Sequence, residues 1–219
     1  NKLVVLLGVP GSGKGTQGAL LDRSGDYQHV SCGALFRDQI RTGTAFGRRV
    51  KAQTEAGVMT SCEETAAMLF EHLQSIHRSV VLDGFPRTAK QVELLDHHCR
   101  DNGINLLGGV LLATDVAQVT ARIAGRWVCD RCGRPYHLEH APPQKAGICD
   151  ADGGTLLRRI DDTEAIAAKR FQTAQEGERE ALSAFRARHP VIEIDGAGSP
   201  SEVFAKVLNA LEALERGSS

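Results

Sequence analysis

The chain has 219 residues, enough to bury a full core as one domain with insertions or as two small domains. At 42% hydrophobic and 24% charged residues its composition is that of a globular protein, and no apolar run approaches the ~20 residues of a membrane span. Its 26 basic and 27 acidic side chains leave a formal net charge of −1, without the broad basic field that draws proteins to nucleic acid.

Lys2 to Leu7 is a continuous apolar run, as expected of a strand buried on both faces, and it is too short for a leader. It runs into Gly8-Val9-Pro10-Gly11-Ser12-Gly13-Lys14-Gly15-Thr16, and a helix from about Lys14 follows, carrying Leu20 and Leu21. Residues 30–59 read as helical but are punctuated by Gly33, Gly43, Gly47 and Gly57 and hold few large apolar side chains. Ser61 and Glu64 form a capping box opening a helix through Met68, Leu69 and Leu73. Further strand-like runs lie at Ser79–Asp83, Gly109–Leu112 and Val191–Asp195.

Residues 122–159 hold three cysteines, Pro142-Pro143 and several glycines, and cannot build a core of their own. Ser199 as N-cap, Pro200 at the first helical position and Glu202 closing a capping box open a last helix. Its Val203, Phe204, Val207, Leu208, Leu211 and Leu214 repeat at helical spacing and are expected to face a sheet. Strands alternating with helices predict an α/β fold with a parallel sheet and helices on both faces. The core is then residues 1–29, 60–121 and 160–219, with 30–59 and 122–159 as flaps upon it.

The glycine-rich stretch follows a buried strand and opens a helix, which is the setting of a phosphate-binding loop. Gly11, Gly13 and Gly15 let backbone N–H groups and a helix N-terminus approach anionic oxygens, and Lys14 adds a point charge near the β- and γ-phosphates. Gly15 stands where many such loops place the hydroxyl that ligates Mg2+, and Thr16 comes one later, which speaks against a GTPase-like switch.

Cysteine spacing suggests a second chemistry. Cys129 and Cys132 are at C-x-x-C spacing, and after sixteen intervening residues Cys149 precedes Asp152 at the same spacing. Thiolates so placed favour Zn2+, with a carboxylate as fourth ligand. Asp152 is favoured by symmetry, with His137 and His140 as alternatives. Four protein ligands leave no open position, so the site reads as structural. Thiols kept for a metal also point to a reducing, cytoplasmic setting. Cys99 and the pair His97-His98 read as without a role, and Trp127 as packing.

Gly8 to Gln17, Asp83-Gly84-Phe85-Pro86-Arg87-Thr88 with Gln91, Arg122 with Arg126, and Arg159-Ile160-Asp161-Asp162 together resemble the adenylate kinases, in the same order and at similar spacing. The region 122–159 resembles the long, zinc-bearing lid of that family. The resemblance implies a three-layer P-loop core around a five-stranded parallel sheet, a helical nucleoside-monophosphate (NMP) flap and a zinc-bearing lid. It implies reversible transfer of the ATP γ-phosphoryl group to AMP with Mg2+, in a cytoplasmic monomer that binds neither nucleic acid nor membrane.

By this matching Gly11, Ser12, Gly13, Lys14, Gly15, Thr16 and Gly198 hold ATP, and Arg122 and Arg126 close over its phosphates. Cys32, Arg37, Gly84, Arg87 and Gln91 form the AMP site, with Gln91 on the adenine edge. Arg159 and Arg170 reach both nucleotides, and Asp83 holds waters around Mg2+. Lys14, Arg87, Arg122, Arg126, Arg159 and Arg170 are the catalytic set, and Cys129, Cys132, Cys149 and Asp152 take the zinc.

Three positions depart from the family pattern. Cys32 replaces a threonine, Ala34 an acidic residue that anchors Mg2+-bound water, and Cys62 an aspartate. A thiol is the weaker hydrogen-bond partner, so a kinase of broader or different base preference is the first alternative. A zinc-ribbon, nucleic-acid-binding ATPase is the second, and the neutral charge and the Asp83–Arg87 motif oppose it.

Overall fold

Successive side chains of a strand point to opposite faces of its sheet. Leu3, Val4, Val5, Leu6 and Leu7 are nevertheless all buried, so both faces of this strand must be covered. The computed structural model describes residues 1–55, 60–115, 118, 119, 122, 125–137, 142–158 and 177–217, and of residues 54, 55 and 126 the backbone alone. In chain order the elements are β1 (Lys2–Leu7), α1 (Lys14–Ser24), β2 (Tyr27–Ser31), α2 (Cys32–Thr42), α3 (Ala45–Glu55), α4 (Cys62–Gln74), β3 (Ser79–Asp83) and α5 (Ala89–Asp101). After them come β4 (Asn105–Ala113), β5 (Arg126–Cys129), β6 (Pro135–His137), β7 (Leu156–Leu157), the helical run 177–186 as α6, β8 (Val191–Asp195) and α7 (Pro200–Gly217).

Five of the strands make one parallel sheet in the order β2-β3-β1-β4-β8. On one face Leu3, Val5, Val80 and Leu82 pack with Leu69 and Leu73 of α4, Val92 and Leu95 of α5 and Phe185 of α6. On the other Val4, Leu6, Val81, Val110 and Leu112 pack with Leu21 of α1 and Val203, Val207, Leu211 and Leu214 of α7. Each such burial contributes about 1.5–3 kcal/mol, so the two helical layers fix the sheet whose edge carries the loops.

Two strands differ from expectation. β2 reads Tyr27-Gln28-His29-Val30-Ser31 and pairs only with β3, so its polar side chains suit an edge and hide it from a search for apolar runs. The flap boundary expected at residue 30 therefore falls inside the sheet. β4 begins four residues before its expected start because Gly108, at φ +140°, continues the strand through a shift of register against β1. The N–H of Gly109 there donates to the Pro190 carbonyl at 2.9 Å.

The expected caps are present. Ser199 N–H donates to Glu202 Oε2 at 2.7 Å and Glu202 N–H to Ser199 Oγ at 3.3 Å, both halves of a capping box. Ser61 Oγ accepts from Glu64 N–H at 3.1 Å, but Glu64 Oε2 takes the Ser61 hydroxyl instead of its backbone N–H. Leu208 of α7, expected to face the sheet, is 37% exposed.

The helices α2 and α3 pack on one another through Phe36 and Phe46, ring centroids 5.7 Å apart. A Cβ at Gly47 would overlap the carbonyl of Gln39, so this glycine sets how closely the helices approach. Gly47→Ala is expected to cost ~1–3 kcal/mol through overpacking, read as a lower midpoint in urea. An unchanged midpoint would show that α2 and α3 separate freely.

The strands β6-β5-β7 form a separate antiparallel sheet with Trp127 opposite Tyr136 and Cys129 opposite Leu156. Its buried core is Cys129, Tyr136, Cys149 and Leu156, with Trp127 packed against them. Among the described residues no helix is long and apolar enough to cross a membrane.

Candidate active site and metal centre

The loop between β1 and α1 turns on Gly8, Gly11 and Gly13, with φ of +129°, +90° and +103°, a region that side chains disfavour. Ser12 N–H closes the turn on the Val9 carbonyl at 3.0 Å. Lys14 opens α1, so the unpaired N–H groups and positive dipole end of that helix lie at the loop. Its ammonium donates to the carbonyls of Gly8 and, at 2.9 Å, of Val9. Ser12 is buried and its hydroxyl has no partner among the described residues, while Thr16 is half-buried.

Asp83 ends β3 beside this loop. A Cβ at Gly15 would lie 3.6 Å from its Oδ2, so a glycine there lets α1 approach the carboxylate. Burial pushes the Asp83 carboxyl up, but His29, Lys14 and Arg87 outweigh it and hold it below the usual carboxylate range. His29 Nε2 is 3.7 Å from Asp83 Oδ2, longer than an ordinary hydrogen bond. A half-buried, ionised carboxylate beside this glycine-rich loop suits the water shell of a divalent cation.

Gly84, at φ +81°, turns the chain so that its missing Cβ would lie 3.2 Å from Arg87 Nη2 and 3.8 Å from Cys32 Cβ. Arg87 Nε donates to the Gly84 carbonyl at 2.9 Å. Arg37 lies near, its Nη1 3.3 Å from where a Gly33 Cβ would be. Gln91 is buried on α5, where its Oε1 accepts the Arg87 N–H at 2.8 Å, so it fixes the backbone of that arginine. Thr88 caps the same helix, accepting the Gln91 N–H at 3.2 Å, and Cys62 Sγ lies 3.4 Å from its hydroxyl. Burial pushes the Cys32 thiol up to about 11, against the pull of Arg87, so it stays protonated.

Lys14 and Arg87 line one cavity of about 250 Å3, floored by Leu111 to Thr114 at the end of β4. Arg122 lies at the loop's other side, where Nη1 donates to the Ser12 carbonyl at 3.2 Å and Nη2 to that of Gly196 at 2.7 Å. It thereby ties the loop to the turn after β8, which contains Gly198 at φ +109°. Arg126 is placed on β5 by its backbone, while Arg159, Arg170, Asp161 and Asp162 lie outside the described residues.

Cys129, Cys132, Cys149 and Asp152 converge so that their four ligand atoms all lie within 4.8 Å of one another. Cys132 Sγ is 3.6 Å from Cys149 Sγ, and Cys129 Sγ is 3.2 Å from Asp152 Oδ1. Four ligands at ~2.0–2.3 Å from a tetrahedral ion stand roughly 3.3–3.8 Å apart, so the Cys132–Cys149 and Cys129–Asp152 separations match a zinc site and the donor set suits that metal. The N–H groups of Arg131 and Ala151 point at Cys129 and Cys149 Sγ, both at 3.4 Å, and the Tyr136 hydroxyl donates to Cys149 Sγ at 3.3 Å. Such outer partners orient the ligands and favour the thiolate. Of the alternative ligands, His137 packs against Gly125 outside this group and His140 lies beyond the described residues.

The model of the adenylate kinase family matches residues 6–189, a stretch that contains the loop, the Asp83–Gln91 motif and the cysteine cluster. The chain belongs to the adenylate kinase family. An adenylate kinase of Streptomyces griseus is 35% identical over 217 residues, covering 98% of this chain and 99% of its own. One from Anaeromyxobacter dehalogenans is 37% identical over 211 residues, with 95% and 99% covered. Another from Thermoanaerobacter pseudethanolicus is 33% identical over 210 residues, with 95% and 97% covered.

Two residues near the adenylate kinase loop escape a reading of the sequence. His29 sits on the overlooked strand β2, its ring where a side chain on Gly18 of α1 would collide. Glu178 of α6 lines the cavity of Lys14 and Arg87, although its stretch Glu176-Gly177-Glu178-Arg179-Glu180 reads as a solvated charge run. Gly177, packed on the Arg87 carbonyl, is the one local signal.

Proposed function

We propose that this chain transfers the γ-phosphoryl group of ATP to AMP, reversibly and with Mg2+, giving two ADP. The observation that supports it best is the shared cavity of Lys14, from the phosphate loop, and Arg87, from the Asp83–Thr88 motif. A phosphate oxygen of AMP attacks the γ-phosphorus, and the bond to the β–γ bridging oxygen breaks. Such a transfer needs alignment, charge compensation and exclusion of water more than covalent help. Lys14 faces charge developing between the nucleotides, Arg87 and Arg37 hold the AMP phosphate, and Arg122, Arg126, Arg159 and Arg170 complete the clamp. Mg2+ bound with the nucleotide spreads charge from the leaving oxygen, and Asp83 would hold it through water.

In this reading the flap formed by α2 and α3 covers AMP, and the segment 122–159 covers ATP, held folded by zinc on Cys129, Cys132, Cys149 and Asp152. Near-neutral charge speaks against a nucleic-acid partner, the free cysteines favour a cytoplasmic setting, and the family resemblance favours a monomer acting on nucleotides. ADP formation from ATP with AMP, GMP, CMP and UMP tests the assignment. Turnover with AMP at or above the others is expected, and no ADP from any of them would overturn it.

Cys32 supports a second reading, of broader base preference, because its protonated thiol stands beside Gly84 and Arg87 where the family pattern has a hydroxyl. Cys32→Thr is expected to lower KM for AMP relative to CMP by about fivefold, the worth of one neutral hydrogen bond at ~1 kcal/mol. An unchanged KM ratio would show that this position does not read the base.

A further inference from the structure

Glu178 has no part in the roles assigned so far. Its helix α6 is pressed against the phosphate site, since a Cβ on the preceding Gly177 would lie 3.3 Å from the Arg87 carbonyl oxygen. The Glu178 side chain lines the same cavity as Lys14, Gly84 and Arg87. Burial, the largest influence, holds its carboxyl above the usual carboxylate range; Lys14 and Arg87 pull it part of the way down and Asp83 raises it again, so all three charges act on it. A carboxylate on the wall of a site for phosphates is a like charge among like charges, and its repulsion grows with the charge the ligand brings. Mg2+ removes two of the negative charges of ATP.

We infer that Glu178 is a specificity-determining residue that makes the site prefer metal-loaded ATP over free ATP. This rests on reading the cavity as the phosphoryl-transfer site. Lys14 and Arg87 attract both forms of the nucleotide, and Glu178 penalises the free form more. Asp83 holds its carboxylate at the end of β3, next to Gly15. Glu178 stands instead on α6 and lines the cavity together with Lys14 and Arg87, where unneutralised phosphate charge would meet it. The discrimination follows from charge alone and requires no contact between Glu178 and the metal.

The test is equilibrium binding of ATP by calorimetry, with Mg2+ and with a chelator in its place, to the wild type, Glu178→Gln and Glu178→Asp. Chelation is kept brief and Zn2+ content is checked, so that the lid metal is the same in both arms. In Glu178→Gln free ATP is expected to gain about tenfold more affinity than Mg-loaded ATP, and the difference shrinks as salt rises. Glu178→Asp keeps the wild-type ratio. Inorganic tripolyphosphate, which has no base, shows the same pattern as ATP. A merely structural residue would shift both forms alike and lower the melting temperature, and that result overturns the inference. So does weaker binding of the Mg-loaded form with the free form unchanged, which would make Glu178 a holder of the metal's water. A wild type that binds neither form would remove the proposed function as well, whereas binding with an unaltered ratio in Glu178→Gln removes this inference alone.

Discussion

Lys14→Ala is expected to lower kcat by ~10²–10³ while the protein stays folded, since one preorganised charge at the developing phosphate is lost. Lys14 opens α1 at the loop and shares a cavity with Arg87, so its charge stands between the two expected phosphates. Its ammonium also donates to the Gly8 and Val9 carbonyls, and losing those bonds costs ~1 kcal/mol in a half-exposed loop. That is small beside the stability of a sheet covered on both faces. The loss should fall on kcat more than on KM, because the charge matters most in the transition state. Circular dichroism establishes folding, and coupled ADP formation gives the rates. A folded variant with near wild-type turnover would remove the phosphate-loop assignment.

Much of this site is legible from residue order because its parts are local. The phosphate loop needs glycine at fixed offsets, the Asp83–Thr88 turn needs Gly84 at positive φ, and the cysteine pairs need only short spacing. What depends on tertiary neighbours is hidden. β2 escapes because an edge strand may carry Gln28 and His29 without an apolar signature. Glu178 escapes because its charged surroundings look like a solvated helix face, and only the docking of α6 on Arg87 brings it to the cavity of Lys14 and Arg87. Leu208 errs the other way, since helical periodicity marks the edge of an apolar stripe no better than its centre. Gln91 follows the Asp83–Thr88 motif at the family spacing, yet its carboxamide oxygen is committed to the Arg87 N–H, an interaction no spacing rule contains.

Chelating the metal is expected to melt the segment 122–159 before the α/β core and to slow transfer together. The described core of this segment is Cys129, Tyr136, Cys149 and Leu156 with Trp127, and two of those belong to the cluster proposed to hold the metal. So small a module needs a staple, and for a structural zinc the binding free energy, on the order of 10 kcal/mol, is largely folding free energy. Without it Tyr136 loses the thiolate it donates to, and the β5–β6 and β5–β7 pairings lose the anchor that closes them. Arg126 begins β5, and Arg122 lies just before it with its guanidinium on the phosphate loop. A loosened lid therefore misplaces both arginines and admits water, so part of the ATP consumed should appear as hydrolysis. Cys132→Ser should reproduce chelation. Asp152→Cys should keep the metal, because it completes a four-thiolate site on the same turn. Calorimetry with and without chelator, alongside metal analysis, decides the matter. Two separated transitions and lost zinc are expected. A protein that takes up no tightly bound metal from a Zn2+ solution, or one whose melting and turnover ignore its loss, would show that Cys129, Cys132, Cys149 and Asp152 do not hold the lid together.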